Sequence, residues 1–402
     1  MKRLLVVIGA LCCIVSMGFA ATGAEDLEIY MFLYENSRTV TDQYNIMVVL
    51  QTRKLAGAGD FYAKAFTRLV NQIPNIQRSA PAAEKAAADD LAQTLALLLG
   101  DEKYARSADD LWRAVGAFSS PQVKAESMIS LGKLRAVTYL DPIIRVLSDL
   151  NAAPPRGREE VDSKSIVARG AILALEKFRD EKGYLPIFIM SVGIYPERIK
   201  ELARATLPIL LEDPSELLTE QVIKSSSYPP DSKFVALQTI EEANAPDSSK
   251  AAAAVAALSE GWRQTTNDVR QRGQIAQMRK TCIDMIRRYG TTDPMVYPLL
   301  ERSYKEGLDD KEKLDSIQCL GALGTADAVK LLDSSMMILI GKLQSGALNR
   351  SENEMIRAII NAMGVAGKAS SRAPLRQLLS LEAVTNAVKQ LANDALATLP
   401  PQ

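Results

Sequence analysis

The feature that most limits what this chain can become is a spacing that recurs. Apolar or small residues stand at i, i+3, i+4 and i+7 in eight separate places along the 402 residues. The series begins with Ala88, Leu91, Ala92, Leu95 and ends with Ile356, Ile359, Ile360, Met363, with copies starting at Ala125, Ala168, Ala203, Ala236, Cys282 and Ser316 between them. Such a spacing puts four side chains on one stripe of an α-helix, whereas a half-buried strand would show strict alternation, and no convincing alternating run is present. The starting positions lie 33 to 46 residues apart, room each time for two helices and their turns. Seven of the eight first slots hold Ala, Cys or Ser, and small side chains there let one helix lie close against the next. The expectation is an all-α chain: an α-α superhelix of about eight helix-pair repeats.

The second helix of a unit is read best after Ala125. Pro142 can open a helix, because the first helical position has no intrahelical use for an N–H, and Asp141 is expected to cap it. Ile143, Val146, Leu147 and Leu150 would then face the core. Asp213-Pro214 and Asp293-Pro294 repeat the punctuation, and Pro186, Pro298 and Pro374 lie near other helix starts. Turn-forming residues place loops at 151–161, 225–232, 245–249 and 364–372.

These residues resemble the HEAT-repeat superfamily. The resemblance is carried by Ser120-Pro121-Gln122-Val123-Lys124-Ala125 through Leu131-Gly132-Lys133-Leu134, by Tyr139-Leu140-Asp141-Pro142-Ile143-Ile144, and by Cys319-Leu320-Gly321-Ala322-Leu323-Gly324. It spans roughly residues 86–398, and armadillo-type arrays share the pattern. The resemblance implies a right-handed superhelix whose inner face binds another protein, and it implies no chemistry.

The termini differ from the middle. Met1-Lys2-Arg3 followed by an apolar run from Leu4 to Ala21 has the basic and hydrophobic regions of an export signal. Residues 1–24 are therefore expected to be a signal peptide and the body to be exported, most simply to a bacterial periplasm. Left uncleaved, the same run would anchor the body to the inner membrane, facing outward. Cys12 and Cys13 lack the residues that a lipoprotein signal needs before its cysteine. Residues 25–80 hold seven of the 22 aromatics, Tyr30, Phe32, Tyr34, Tyr44, Phe61, Tyr62 and Phe66, and read as a helical cap packed mainly by them. Residues 81–402 would form the repeat array.

Composition removes several chemistries. The chain has no histidine, which excludes Ser-His-Asp and Cys-His catalysis and every His-ligated metal. Its 48 basic and 48 acidic side chains give no overall pull toward nucleic acid or anionic lipid. The stretch Met363-Gly364-Val365-Ala366-Gly367-Lys368-Ala369 fails as a phosphate-binding loop, since Ala362 stands where a glycine is needed and Ala369 where Ser or Thr is needed. Gly364 and Gly367 read instead as helix ends. The acidic pairs Asp89-Asp90, Asp109-Asp110, Glu159-Glu160 and Asp309-Asp310 suit helix starts better than acid-base work. Cys282 and Cys319 occupy apolar slots of neighbouring units. Burial as small hydrophobes accounts for them, and export leaves a disulfide chemically open.

The strongest local charge lies at 263–288, where Arg263, Arg270, Arg272, Arg279, Lys280, Arg287 and Arg288 face only Asp268 and Asp284, a net charge of +5. Its i, i+3 and i, i+4 spacings allow ion pairs within one helix. If a patch recognises an anionic partner, Arg272, Arg279, Lys280, Arg287 and Arg288 are the candidates. The functional expectation is a non-enzymatic scaffold without cofactor, metal or nucleic acid, holding another envelope protein along its groove. The alternative is a binder of an anionic envelope polymer or small ligand through the basic segment. A membrane enters only if the leader stays uncleaved.

Overall fold

A computed structural model describes residues 23–53, 57–153 and 155–401. Residues 1–22, which carry most of the expected signal, lie outside it. Among the described residues no helix is long and apolar enough to cross a membrane. The chain is all-α: there is no strand among the described residues, and the helices follow one another through short turns.

Two compact units divide at Leu211 and Glu212. The first holds α1 (Gly23–Glu35), α2 (Val40–Arg53), α3 (Gly59–Ser79), α4 (Ala82–Asp101), α5 (Ala108–Ala117), α6 (Pro121–Lys133), α7 (Leu140–Ala152), α8 (Arg158–Phe178), α9 (Tyr184–Val192) and α10 (Glu197–Leu210). Here α2, α4, α6, α8 and α10 touch in series as one layer, and α3, α5, α7 and α9 lie against them as the other. This is the stacking of helix pairs that defines an α-α solenoid.

The second unit opens with a four-residue helix, α11 (Ser215–Leu218), which runs on as a π-helical turn, Thr219–Ile223. Then come α12 (Pro230–Glu242), α13 (Asp247–Arg263), α14 (Val269–Tyr289), α15 (Val296–Glu306), α16 (Asp310–Leu323), α17 (Ala326–Gln344), α18 (Arg350–Ala366), α19 (Arg372–Leu379) and α20 (Asn386–Thr398). The even-numbered helices from α12 to α20 again touch in series, with α13, α15, α17 and α19 as the second layer.

The eight helices expected from the recurring spacing are α4, α6, α8 and α10 in the first unit and α12, α14, α16 and α18 in the second, each in the even-numbered layer of its own unit. Their first slots, from Ala88 to Ile356, are all buried. Small residues act there as the sequence suggests. A Cβ added at Gly170 of α8 would lie 2.4 Å from Ala125 Cα of α6, and one at Gly132 would lie 2.8 Å from Ala174 Cα, so these helices meet backbone to backbone. Contacts this close require glycine opposite alanine, and side-chain volume would force the helices apart.

Several local expectations need correction. Asp141 does not cap α7: it lies within the first turn, Tyr139 holds the cap position, and the exposed Asp141 carboxylate stands 3.6 Å from Lys182 Nζ. Asp89 and Asp90 lie in the middle of α4, because the helix begins at Ala82, ahead of where the apolar stripe begins. Gly364 is interior to α18, and Gly367, at φ +63°, ends it. The expected cap comprises α1 to α3. Tyr34, Phe61, Tyr62 and Phe66 are buried in it, with Tyr34 edge-on to Phe61 at 5.3 Å, while Phe32 is exposed.

Candidate functional site

The basic segment occupies the end of α13 and all of α14. Asp268 is not a counter-ion to a patch: its carboxylate accepts the Gln271 N–H at 2.9 Å and caps α14. Six of the seven cationic side chains then divide into three groups.

Arg279 is in the core. Its guanidinium donates from Nε and Nη2 to the two Glu312 oxygens, at 2.6 and 2.9 Å, and lies over the Trp262 ring at 4.1 Å from its centroid. Arg302 covers the ring at 4.5 Å, and the indole N–H donates to Ser303 Oγ at 3.0 Å. Gly261 makes room for this arrangement, since a Cβ there would lie 2.8 Å from Arg279 Cγ. Glu312 also accepts the Leu308 N–H at 2.9 Å, so both of its oxygens are used. The arginine is thus spent on its own fold and cannot face a partner.

Lys280, Arg287 and Arg288 are paired at the surface. Lys280 donates to Asp309 at 2.8 Å, Arg287 to Asp284 at 2.7 Å, and Arg288 to Glu241 at 2.6 Å and Asp284 at 2.5 Å. Asp284 and Asp309 are held below the usual carboxylate range; burial would raise them, but hydrogen bonds from these cations outweigh it. Only Arg270 and Arg272 are exposed and make no ion pair among the described residues. Acids contributed by α12 and by the start of α16 therefore neutralise most of a charge that looks unbalanced along the sequence.

A second buried pair was not foreseen. Lys233 of α12, 1% exposed, donates to Glu260 Oε1 of α13 at 2.5 Å. Gln264 Nε2 donates to the same oxygen at 3.0 Å, and Arg263 pairs with Oε2 at 2.5 Å. Burial would raise the Glu260 carboxyl, but the Lys233 and Gln264 hydrogen bonds and the nearby cations hold it below its ordinary value. The sequence signal was the helical period itself: Lys233, Arg279 and Glu312 each stand one turn before a first slot, at Ala236, Cys282 and Ser316, on the buried stripe.

Two clefts of about 490 Å³ each open on the second unit, and the first borders this pair. One is bounded by Lys224, Tyr228, Lys233, Glu260, Arg263, Gln264, Thr266 and Gln271. The other has a floor of Ala252, Ala256 and Ser259 from α13 and a rim of Glu216, Glu220, Asp293 and Met295. It lies between α13 and the run of α11 and its π-helical turn. Lys224 borders both clefts.

Cys282 and Cys319 stand on α14 and α16 as buried free thiols. Burial pushes the Cys319 thiol up to about 12 and raises that of Cys282 as well. Among the described residues no cluster of three or more Cys, Asp or Glu is placed to hold a metal. Compared with protein-family models and with curated proteins, the chain matches none.

Proposed function

We propose that this chain is an exported, HEAT-like scaffold that carries out no chemistry and holds a segment of another envelope protein against its second unit. The observation that carries the reading is the cleft over α13. Ala252 and Ser259 are exposed on α13 beside α11 and its π-helical turn, and with Ala256 they form an open floor of small side chains. A floor of that kind accepts a polypeptide backbone at close range. The rim carboxylates Glu216 and Asp293 suit basic side chains on the incoming segment, Glu220 being paired with Lys224.

The competing reading, an anionic polymer held by residues 263–288, loses most of its driving charge to the ion pairs described above. A polymer held by Arg270 and Arg272 alone would bind weakly and be released by modest salt.

The test is crosslinking capture from envelope extract with residues 25–402, beside an Ala252→Trp variant that fills the floor. Recovery of a specific protein by the unmodified chain, lost with the variant, supports the scaffold. Recovery of no protein, or steep loss of a polymer with rising salt, overturns it.

A further inference from the structure

We propose that the cleft beside Lys233 and Gln264 seats the free carboxyl end of a bound peptide. This rests on the protein-binding reading above and specifies the chemistry of what is bound. The cleft volume of about 490 Å³ falls within the range of small-ligand sites. Lys224, Lys233 and Arg263 border it; Lys224 is paired with Glu220, which leaves Lys233 and Arg263 against the single carboxylate of Glu260.

Two of its polar groups have unused capacity. Lys233 is 1% exposed, yet its ammonium, with three N–H donors, has one hydrogen-bond partner, Glu260. Gln264 Oε1 is enclosed and accepts nothing. The amide cannot simply be turned over, because Nε2 donates to Glu260 and the exchange would set oxygen against a carboxylate. The occupant must therefore supply an anion to the cations and a donor to Gln264. A peptide terminus offers both, a carboxylate and an amide N–H on the same last residue. A simple anion lacks the donor.

The position of Lys224 gives the rest of the peptide a route. It borders the carboxylate cleft and the cleft floored by Ala252 and Ala256, so a chain ending in the first can lie across the second. Each cleft then explains the other: one reads the end of a segment and the other its body.

The test titrates residues 25–402 with N-acetylglycine, N-acetylglycinamide, propionate and acetyl-tetra-alanine, followed by calorimetry and by Trp262 fluorescence. N-acetylglycine is expected to saturate the site, with the glycinamide and propionate at least about tenfold weaker, since each lacks one of the two required groups. Acetyl-tetra-alanine is expected to bind at least as well as N-acetylglycine. Gln264→Leu should reduce N-acetylglycine to the level of propionate, and Arg263→Gln, at an exposed side chain, should weaken both acids. Unchanged thermal melting of these variants separates lost binding from lost fold. Equal binding of N-acetylglycine and propionate, or no saturable binding, overturns the proposal. Exclusion of acetyl-tetra-alanine while N-acetylglycine binds overturns the peptide assignment in favour of a free acylated amino acid. A partner captured from extract, with no response to these probes, sinks the carboxylate site and leaves the scaffold standing.

Discussion

Arg279 and Glu312 join α14 to α16 through two parallel hydrogen bonds, at 2.6 and 2.9 Å, with the carboxylate wholly shielded from water. Two charges held this way satisfy each other, but either one alone would be stranded in apolar surroundings. Glu312→Gln is therefore expected to lower stability by about 3–5 kcal/mol, whereas the double change Arg279→Met with Glu312→Leu should recover most of it. Urea midpoints of the parent and the two variants decide the matter. A single variant as stable as the parent would mean that water reaches the pair.

Acid should act on the neighbouring pair in a definite direction. Glu260 has a folded value below its ordinary 4.5, so its contribution is complete above about 4.5 and is lost as pH falls through the lower folded value. Glu126 is the opposite case: burial raises it, with Lys133 and Arg169 only partly offsetting that, so its ionised form weakens the fold at neutral pH. Glu260→Gln should destabilise at neutral pH and lose that effect in acid. Glu126→Gln should stabilise at neutral pH, the gain fading on acidification. Urea titrations across that range test both signs.

Glycine substitutions should separate packing from backbone freedom. Gly170→Ala puts a methyl group against the main chain of Ala125 and is expected to cost about 1–3 kcal/mol. Gly273→Ala lies inside α14 with nothing within 4 Å of the added carbon, and should stabilise by about 0.5–1 kcal/mol. Equal effects at the two sites would contradict the close contact of α6 and α8.

The thiols offer a test of burial. Cys282 and Cys319 should resist a disulfide reagent at mildly alkaline pH in the folded chain, because both are enclosed and their thiolates disfavoured. Both should react once urea unfolds it. Fast labelling of the native protein would show that α14 and α16 part readily.

How much of this was legible in the sequence follows from what each feature depends on. Ala88, Ala168 and Ile356 announced their helices, because a buried stripe obeys the 3.6-residue period whatever it packs against. Asp141 misled, since a preceding one-turn helix at Val137–Tyr139 moves the start of α7 upstream. Arg279 was grouped with the surface cations although it stands one turn before Cys282 on the buried stripe. Recognising its burial required Glu312, 33 residues away, to be seen facing it. The cleft over α13 was hidden for a related reason: its lining joins Glu216, Ala252 and Asp293, which lie far apart in the sequence.

Surfaces built from Ala, Leu and Ile are nearly interchangeable, so one turn of a helix offers its neighbour much the same fit as the next. A slip of one turn between α14 and α16 would part Arg279 from Glu312, and one between α12 and α13 would part Lys233 from Glu260. Each error would abandon charges among hydrocarbon. The two buried pairs therefore serve as addresses, telling each helix which turn of its neighbour to meet.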